Sequence, residues 1–552
     1  MRRGPGTSLL LYVAFAVAIA VGCGWGLPGS DSWAADSISP RSCGLFAIAE
    51  TYWPGHFHTY PPLHMAILTL LSLPWMALAA SRVGTSTAAL GAELVKPLYM
   101  TGIEILARVL AASMALGIVH NTVRLWTRLA GRRAGLVAGA VVATNAVLVY
   151  YAHTGNLEVP YLFWTTWALV EIDRVAAGEP REKQALLLAT LAALTKDQAA
   201  AALLVPLVVY VAVVPRASRG TPVLRGSLVK AVLLAALVYG IGSGALVNPV
   251  GFGRRVAFLL GPASQTWAEY PRSWRGLLAL ATDTVRDVPR FTSWPIAALA
   301  AVGLALVLAR ARGGTRARAL LPFVAATSFV LLFNVAARRT EERFLLPASL
   351  LFLPYASVAF DEAWTRLGAS RPGRSALLLA GLVALVPALV GVASVDATLV
   401  ADSRYAAEQF LSALRPGTRV EVYGGPIFLP RIPPALGATR PGKDPIAERQ
   451  EIPGVADLVD PAMDPRPRAP DVLVLETQLS SVEATRMTGP HPYGVMQYRD
   501  AQSSAFLGEL LDGSLGYRSV LRATCEVPWP LTCRRIHGST GGEVWIYALA
   551  GR

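Results

Sequence analysis

Residues 103–133 read IEILARVLAASMALGIVHNTVRLWTRLAGRR. The apolar run Ile103–Val119 approaches the roughly 20 residues that cross a bilayer's hydrocarbon core. It leads into Arg124, Arg128, Arg132 and Arg133, and a basic loop of this kind stays cytoplasmic. Taking Ile103–Val119 as the second span puts that loop inside. If the preceding stretch His64–Ala80 also spanned, the same loop would fall outside. That stretch contains Pro74 and has few basic flanks, so it reads as an interfacial or re-entrant helix.

The rest of the 552 residues follows the same pattern. The length suggests two or three domains. Hydrophobic residues make up 53% and charged ones 16%, against about 25% charged in soluble proteins. Mean hydropathy is +0.45. These values exclude a disordered chain, a coiled coil and a typical soluble enzyme, and indicate a polytopic membrane protein. The net charge of +14 reads as loop topology rather than nucleic-acid binding, since no basic repeat, zinc finger or aromatic-interleaved basic stripe occurs. P-loop (GxxxxGK[ST]), HExxH and GxSxG patterns are also absent.

Arg2 and Arg3 precede Ser8–Gly26, which reads as a retained first helix with its N-terminus inside; a signal peptide is the alternative. A polar loop covers about Leu27–Pro62. After Ile103–Val119 the expected spans are Ala134–Tyr151, Val159–Val170, Ala185–Leu194, Ala199–Val214, Ala231–Val247, Ile296–Leu308, Leu320–Ala336, Phe344–Phe360 and Ala376–Val395. Basic loops alternate between them, giving about eleven spans. The expected division is a membrane domain over 1–397, with outer loops at about 27–100 and 248–290, and an outer α/β domain over 398–552. In the latter, β-rich runs Arg419–Tyr423, Asp471–Glu476 and Glu543–Ala548 follow a helical stretch, Tyr405–Leu414. Four cysteines are too few for a disulfide scaffold. Cys525 and Cys533 either pair in an oxidising compartment or remain two free thiols.

This topology collects polar residues on the outer side. Asp36, in Trp33-Ala34-Ala35-Asp36-Ser37, has the chemistry of a base or a divalent-cation ligand; a solvated loop aspartate or N-cap is the plain alternative. Asp31 has the same chemistry. Glu158, before Pro160, is either a helix N-terminal glutamate or a metal or positioning carboxylate. Lys196, in the turn Thr195-Lys196-Asp197-Gln198, is either neutralised by Asp197 or a ligand for a lipid phosphate. Arg343 has the same two readings and lies with Arg338, Arg339, Glu341 and Glu342 ahead of a span. His58, His64 and His153 are candidates for metal or substrate positioning without a recognised metal-ligand spacing; packing or hydrogen bonding is the alternative for His58 and His64.

An ordered series carries a resemblance. An acidic first outer loop is followed by Tyr60-Pro61-Pro62-Leu63-His64, then the basic loop Arg128–Gly135, then Tyr150–Pro160 with His153 and Glu158. Leu194-Thr195-Lys196 and Arg343-Phe344-Leu345-Leu346-Pro347 complete it. The series resembles the GT-C superfamily of membrane glycosyltransferases, nearest the branch of protein O-mannosyltransferases and lipid A aminoarabinose transferases, over roughly residues 8–395. The resemblance implies a mainly α GT-C-type bundle that moves a sugar from a polyprenyl-phosphate donor to a lipid, glycan or protein acceptor. It places the reaction on the outer face of a membrane, such as the bacterial inner membrane, with the N-terminus cytoplasmic. Asp36, or failing it Asp31, matches the family's catalytic aspartate. Lys196, with Arg343 and Arg339, would hold the donor phosphate. Glu158 takes the place of a further acidic residue, and Mg²⁺ or Mn²⁺ is a conceivable cofactor. Two departures stand out. The usual Asp-Glu pair is Asp36-Ser37 here, and His58-Thr59-Tyr60 stands where a glutamate often precedes Pro-Pro-Leu. A transporter or flippase of lipid-linked sugars is the rival reading; midplane charges on broken helices would favour it.

Overall fold

A computed structural model describes residues 6–29, 33–38, 44–213, 226–265, 268–310, 318–442, 445–446, 449, 452–460, 464–475 and 501–551. The chain divides into two compact units. The first comprises Met1–Cys23, Ile38–Ser86 and Ile103–Ala393; the second comprises Gly24–Ser37, Thr87–Gly102 and Ser394–Arg552. The second unit therefore draws two segments from the N-terminal part of the chain as well as the C-terminal region.

The chain is an integral-membrane type of polytopic helical protein. Four helices are long and apolar enough to cross a bilayer: Leu63–Val83, Pro97–Ala130, Glu342–Leu367 and Arg371–Ser412. The number rises to six if each of two bent pairs is one span. These are Arg132–Ala143 with Ala146–Ala152, bent by 66°, and Trp274–Phe291 with Trp294–Ala309, bent by 116°. Eleven expected spans thus correspond, among the described residues, to four to six helices of full length. The shorter apolar helices Leu9–Ala20, Gln198–Val211, Gly226–Gly242 and Leu321–Val335 fall short of the roughly 20 residues a single crossing needs. Small residues allow close helix packing. A Cβ on Gly303 would fall on the Tyr355 carbonyl, and one on Gly135 would meet Thr127 of the helix Pro97–Ala130.

The helix Glu158–Ala176 measures the bundle. Near its C-terminal end Asp173 is fully buried and accepts from Arg128 Nε at 2.6 Å and Arg318 Nε at 2.9 Å. Arg128 and Arg174 also meet Glu179. Arg133 pairs with Asp361 and sits 5.2 Å from the Trp364 ring centre. Four of the basic loops expected inside therefore gather at one end. Glu158 is fifteen residues away on the same helix, so about 22 Å separates the two ends.

This geometry bears on the helix Leu63–Val83. Its 21 residues enclose Pro74 without ending there, although proline removes one ladder hydrogen bond. Tyr60 lies at the Glu158 end, against Lys196. Arg108 is within electrostatic reach of His153, five residues before Glu158. The chain between Tyr60 and Arg108 therefore begins and ends at the same end, despite the helix's length.

The second unit holds one six-stranded sheet. Its strands are β1 (Arg419–Tyr423), β2 (Gly437–Gly442), β3 (Val455–Val459), β4 (Val472–Leu475), β5 (Tyr517–Ala523) and β6 (Val544–Leu549), in the order β3-β2-β1-β4-β6-β5. The first four pair in parallel, with Val420 opposite Val472. β6 runs antiparallel to β4 and β5. Strand alternation sends Val420, Val422, Val472 and Val474 to one face, with Ala407 and Leu411 of the helix Ser403–Ser412. Tyr423, Leu473, Leu475 and Trp545 face the other way, onto Phe506, Leu507 and Leu510 of the helix Ala501–Asp512. Both faces are covered, as parallel sheets require. Cys525 and Cys533 form a disulfide.

Candidate functional site

The site in the helical unit begins at a chain break with a local cause. Asn145 caps the helix Ala146–Ala152, accepting from the Leu148 N–H at 3.0 Å. His153 closes that helix, and Thr154-Gly155-Asn156 interrupt the path. The helix Glu158–Ala176 then starts, with Glu158 and Pro160 in its first turn, where an acidic residue suits the helix dipole and proline is tolerated. The next hairpin joins the helices Glu182–Thr195 and Gln198–Pro206. Lys196 leaves the first of these in an extended conformation.

Lys196 Nζ lies 2.6 Å from Glu158 Oε1, and only 5% and 3% of the two side chains are exposed. The Tyr60 and Tyr161 ring centres are 5.9 and 5.6 Å from the ammonium, within cation–π range. Tyr161 follows Glu158 by three residues, on the same helix face. Its buried hydroxyl has no hydrogen-bond partner among the described residues. The expected neutralising partner, Asp197, instead pairs with Arg255 of the helix Pro249–Leu260. Burial pushes the Asp197 carboxyl up, against the pull of Arg255. Arg255 also donates to the Thr59 carbonyl at 3.3 Å.

A second cationic group converges on the same place. Arg339 pairs with Glu341, and Arg343 Nε lies 3.2 Å from Glu341 Oε2. Both guanidinium groups lie against Phe344, 4.4 and 4.5 Å from its ring centre. Asn334 fixes this loop by donating to the carbonyls of Arg339 and Phe344 at 3.0 and 3.1 Å. Burial raises the Glu341 carboxyl to about 7, against the opposing pull of Arg343 and Arg339. Glu342, next in sequence, pairs with Arg290. Tyr151 and Tyr161 both lie within electrostatic reach of Glu158 and Arg343, so the two groups flank the same pair of tyrosines. Lys196, Arg255, Arg339 and Arg343 thus pair with Glu158, Asp197 and Glu341, and Glu269 lies within electrostatic reach of Arg339 and Glu341.

Two of the candidate histidines, His153 and His58, are hydrogen-bonded to backbone groups. Nδ1 and Nε2 of His153 face the carbonyls of Val149 at 2.7 Å and Val21 at 2.5 Å. Arg108 Nη1 donates to the Cys23 carbonyl at 2.8 Å. Together they engage backbone oxygens left free past the end of the first helix. His58 Nδ1 closes a local turn with the backbone of Tyr60, and His64 is buried. Among the described residues no group of three or more His, Cys, Asp or Glu side chains is placed to hold a metal. Glu158, Asp197 and Glu341 are each matched to a cation instead. This donor set does not fit a divalent ion, and no step is derived through one.

Asp36 belongs to the other unit. It adopts a left-handed backbone, φ 56°, and its carboxylate is 45% exposed. Its Oδ2 lies 3.7 Å from His537 Nε2. In the helical unit, the Ile38 N–H donates to the Gly155 carbonyl at 3.1 Å. Asp31 lies outside the described residues. Sequence reasoning passed over Arg255, Tyr161 and His537. Only Tyr161 left a signal, its three-residue spacing from Glu158.

No protein-family model matches the chain, and no curated protein matches it. Solved structures do. ArnT from Cupriavidus metallidurans, bound to undecaprenyl phosphate, is 14% identical over 99% of each chain, with a TM-score of 0.50. The apo ArnT structure from the same organism gives 13% over 98% of each chain and a TM-score of 0.44. The archaeal oligosaccharyltransferase AglB from Archaeoglobus fulgidus, in complex with an inhibitory peptide and a dolichol-phosphate, gives 12% identity. That match covers 94% of this chain and 79% of the other, with a TM-score of 0.46. The likeness to the first of these is one of fold.

Proposed function

We propose that the chain is a membrane glycosyltransferase that moves a sugar from a polyprenyl-phosphate donor to an acceptor hydroxyl. One observation carries the reading: four cationic side chains, Lys196, Arg255, Arg339 and Arg343, are buried at one site. Cations gathered at a buried site stabilise an anionic group more strongly than they would in water, and a phosphate ester is an anion that Lys and Arg side chains recognise. The shared fold includes ArnT bound to undecaprenyl phosphate, in keeping with a lipid-linked phosphate as the anion. An apolar cavity of about 300 Å³, lined by Phe291, Phe323, Leu331, Leu345 and Phe352, suits part of a polyprenyl chain.

The reaction needs no nucleotide, because the donor carries its own leaving group. Asp36 accepts the proton of the acceptor hydroxyl. The acceptor oxygen forms a bond to the anomeric carbon, and the bond from that carbon to the phosphate oxygen breaks. The electron pair leaves with the polyprenyl phosphate. Lys196 and Arg343, with Arg339, stabilise the charge that develops there. A single displacement inverts the anomeric centre. Glu158 holds Lys196 in place.

The donor-binding end of the bundle is assigned to the outer face, and the clustered Arg128–Asp173–Arg318 end to the cytoplasm. The Cys525–Cys533 disulfide accords with an oxidising outer compartment for the α/β domain, the periplasm if the membrane is a bacterial inner membrane. Mass spectrometry of lipid-linked sugars and envelope glycans, with and without the protein, tests the proposal. Accumulation of a polyprenyl-phosphate sugar and loss of one glycan substituent on deletion are expected. Unchanged glycans, with that lipid-linked sugar confined to one leaflet, would instead establish a flippase.

A further inference from the structure

We infer that His537, carried by the C-terminal domain, is the positioning residue for Asp36; this rests on the proposal that Asp36 is the base. The two side chains are 501 residues apart in sequence, yet Nε2 and Oδ2 are 3.7 Å apart. That is longer than a formed hydrogen bond, and catalytic hydrogen bonds that are long without substrate tighten when it arrives. Both residues hold left-handed backbones, φ 56° at Asp36 and 51° at His537. Asp and His are among the non-glycine residues that adopt this conformation, and it persists where the surroundings over-determine it.

The surroundings do so here. The Ala35 N–H donates to Ser539 Oγ at 2.8 Å, and Ser539 Oγ donates to the His537 carbonyl at 3.3 Å. The Ser539 carbonyl accepts from Arg404 Nη2 at 2.6 Å. Arg404 lies 4.2 Å from the ring centre of Trp33, three residues before Asp36, and pairs with Asp402. Asp402 also accepts from Trp25 Nε1 at 2.9 Å. Both sides of the contact are therefore tied to one buried cluster. The exposures are unequal: the imidazole is 5% exposed and the carboxylate 45%. A buried imidazole set against a more exposed carboxylate is the arrangement of an orienting partner and its base. The C-terminal domain thereby contributes to the reaction through His537, beyond any role in recognising the acceptor.

The test uses the full chain in isolated membranes, which supply the acceptor, with labelled undecaprenyl-phosphate-linked pentoses and hexoses as donors. H537G removes the imidazole at a position where glycine takes φ > 0 freely. H537Q keeps an N–H donor. H537G should lower kcat by about 10–100-fold, the usual cost of removing a partner that orients a functional group, with KM for the donor changed less than about twofold. H537Q should recover at least a third of wild-type kcat. In a D36N background, H537G should cost nothing further. H537G with kcat within about threefold of wild type, H537Q as impaired as H537G, or a loss confined to KM would each overturn the inference. D36N at normal turnover would instead overturn the assignment of Asp36 as base, which keeps the two failures apart.

Discussion

Lys196 and Glu158 stand 38 residues apart in sequence and form a buried ion pair, Nζ to Oε1 2.6 Å, where two helical turns meet. Neither charge has water to fall back on, so each is held by the other. Removing one partner of a buried pair costs about 3–5 kcal/mol, whereas replacing both with neutral groups of similar volume is often neutral. Lys196→Met and Glu158→Gln should each lower the thermal midpoint of the purified protein, and the double variant should recover most of it. Activity should stay lost in the double variant, because the phosphate ligand is gone. Scanning fluorimetry and turnover on the same samples check both halves.

Asp36→Asn keeps the side-chain size and suits the left-handed backbone, which asparagine adopts readily. It should therefore fold and insert normally while transfer falls by at least about 100-fold, the loss of a general base. Asp31→Asn serves as the control and should be milder. Turnover of both variants in the same membranes decides; activity lost with Asp31→Asn but kept with Asp36→Asn would exchange the two assignments.

Much of this was legible in the sequence, and the reasons differ by element. Strand β1 announces itself by Val420 and Val422 alternating with polar residues between Pro416-Gly417 and Gly424-Gly425, and β6 as an apolar run between glycines. The Lys196 turn shows as two charges between apolar helices. Its partner does not show, because the neighbouring Asp197 is the obvious choice and Glu158 joins only when two hairpins pack. Eleven apolar runs suggested eleven spans, but chain breaks and bends leave four to six of full length. The pairing of Asp36 with His537 has no local signature at all.

Glu341 gives the site a pH response. Its folded value of about 7 lies above the ordinary 4.5, so the folded protein binds the extra proton between those limits. The associated stability is present in full below about pH 4.5 and is lost as pH rises through 7, to the extent of about 3 kcal/mol. Protonation also frees Arg339 and Arg343 from their shared carboxylate. Affinity for undecaprenyl phosphate should rise as pH falls from 8 to 6, beyond the change in the phosphate's own charge. Glu341→Gln should bind more tightly at pH 8 and lose that extra dependence. An unchanged pH profile in Glu341→Gln would remove Glu341 from the site.

The Cys525–Cys533 bridge closes a short loop. Chain-entropy reasoning puts its contribution at about 2–3 kcal/mol. Cys533→Ser should lower the unfolding midpoint of the α/β domain by a corresponding amount, as read by denaturant titration. A midpoint unchanged by both Cys533→Ser and reductant would show that the bridge adds no stability.

The central claim is that Lys196 and Arg343 hold a polyprenyl phosphate. Native mass spectrometry of the detergent-purified chain with undecaprenyl phosphate measures this directly. One lipid phosphate should be retained per wild-type chain, and retention should fall at least about tenfold in Arg343→Met, the loss of a charge-assisted phosphate contact. The double variant Lys196→Met/Glu158→Gln, with its buried charge balance kept, should fall by a similar factor. Equal retention by the wild type and both variants would contradict the claim.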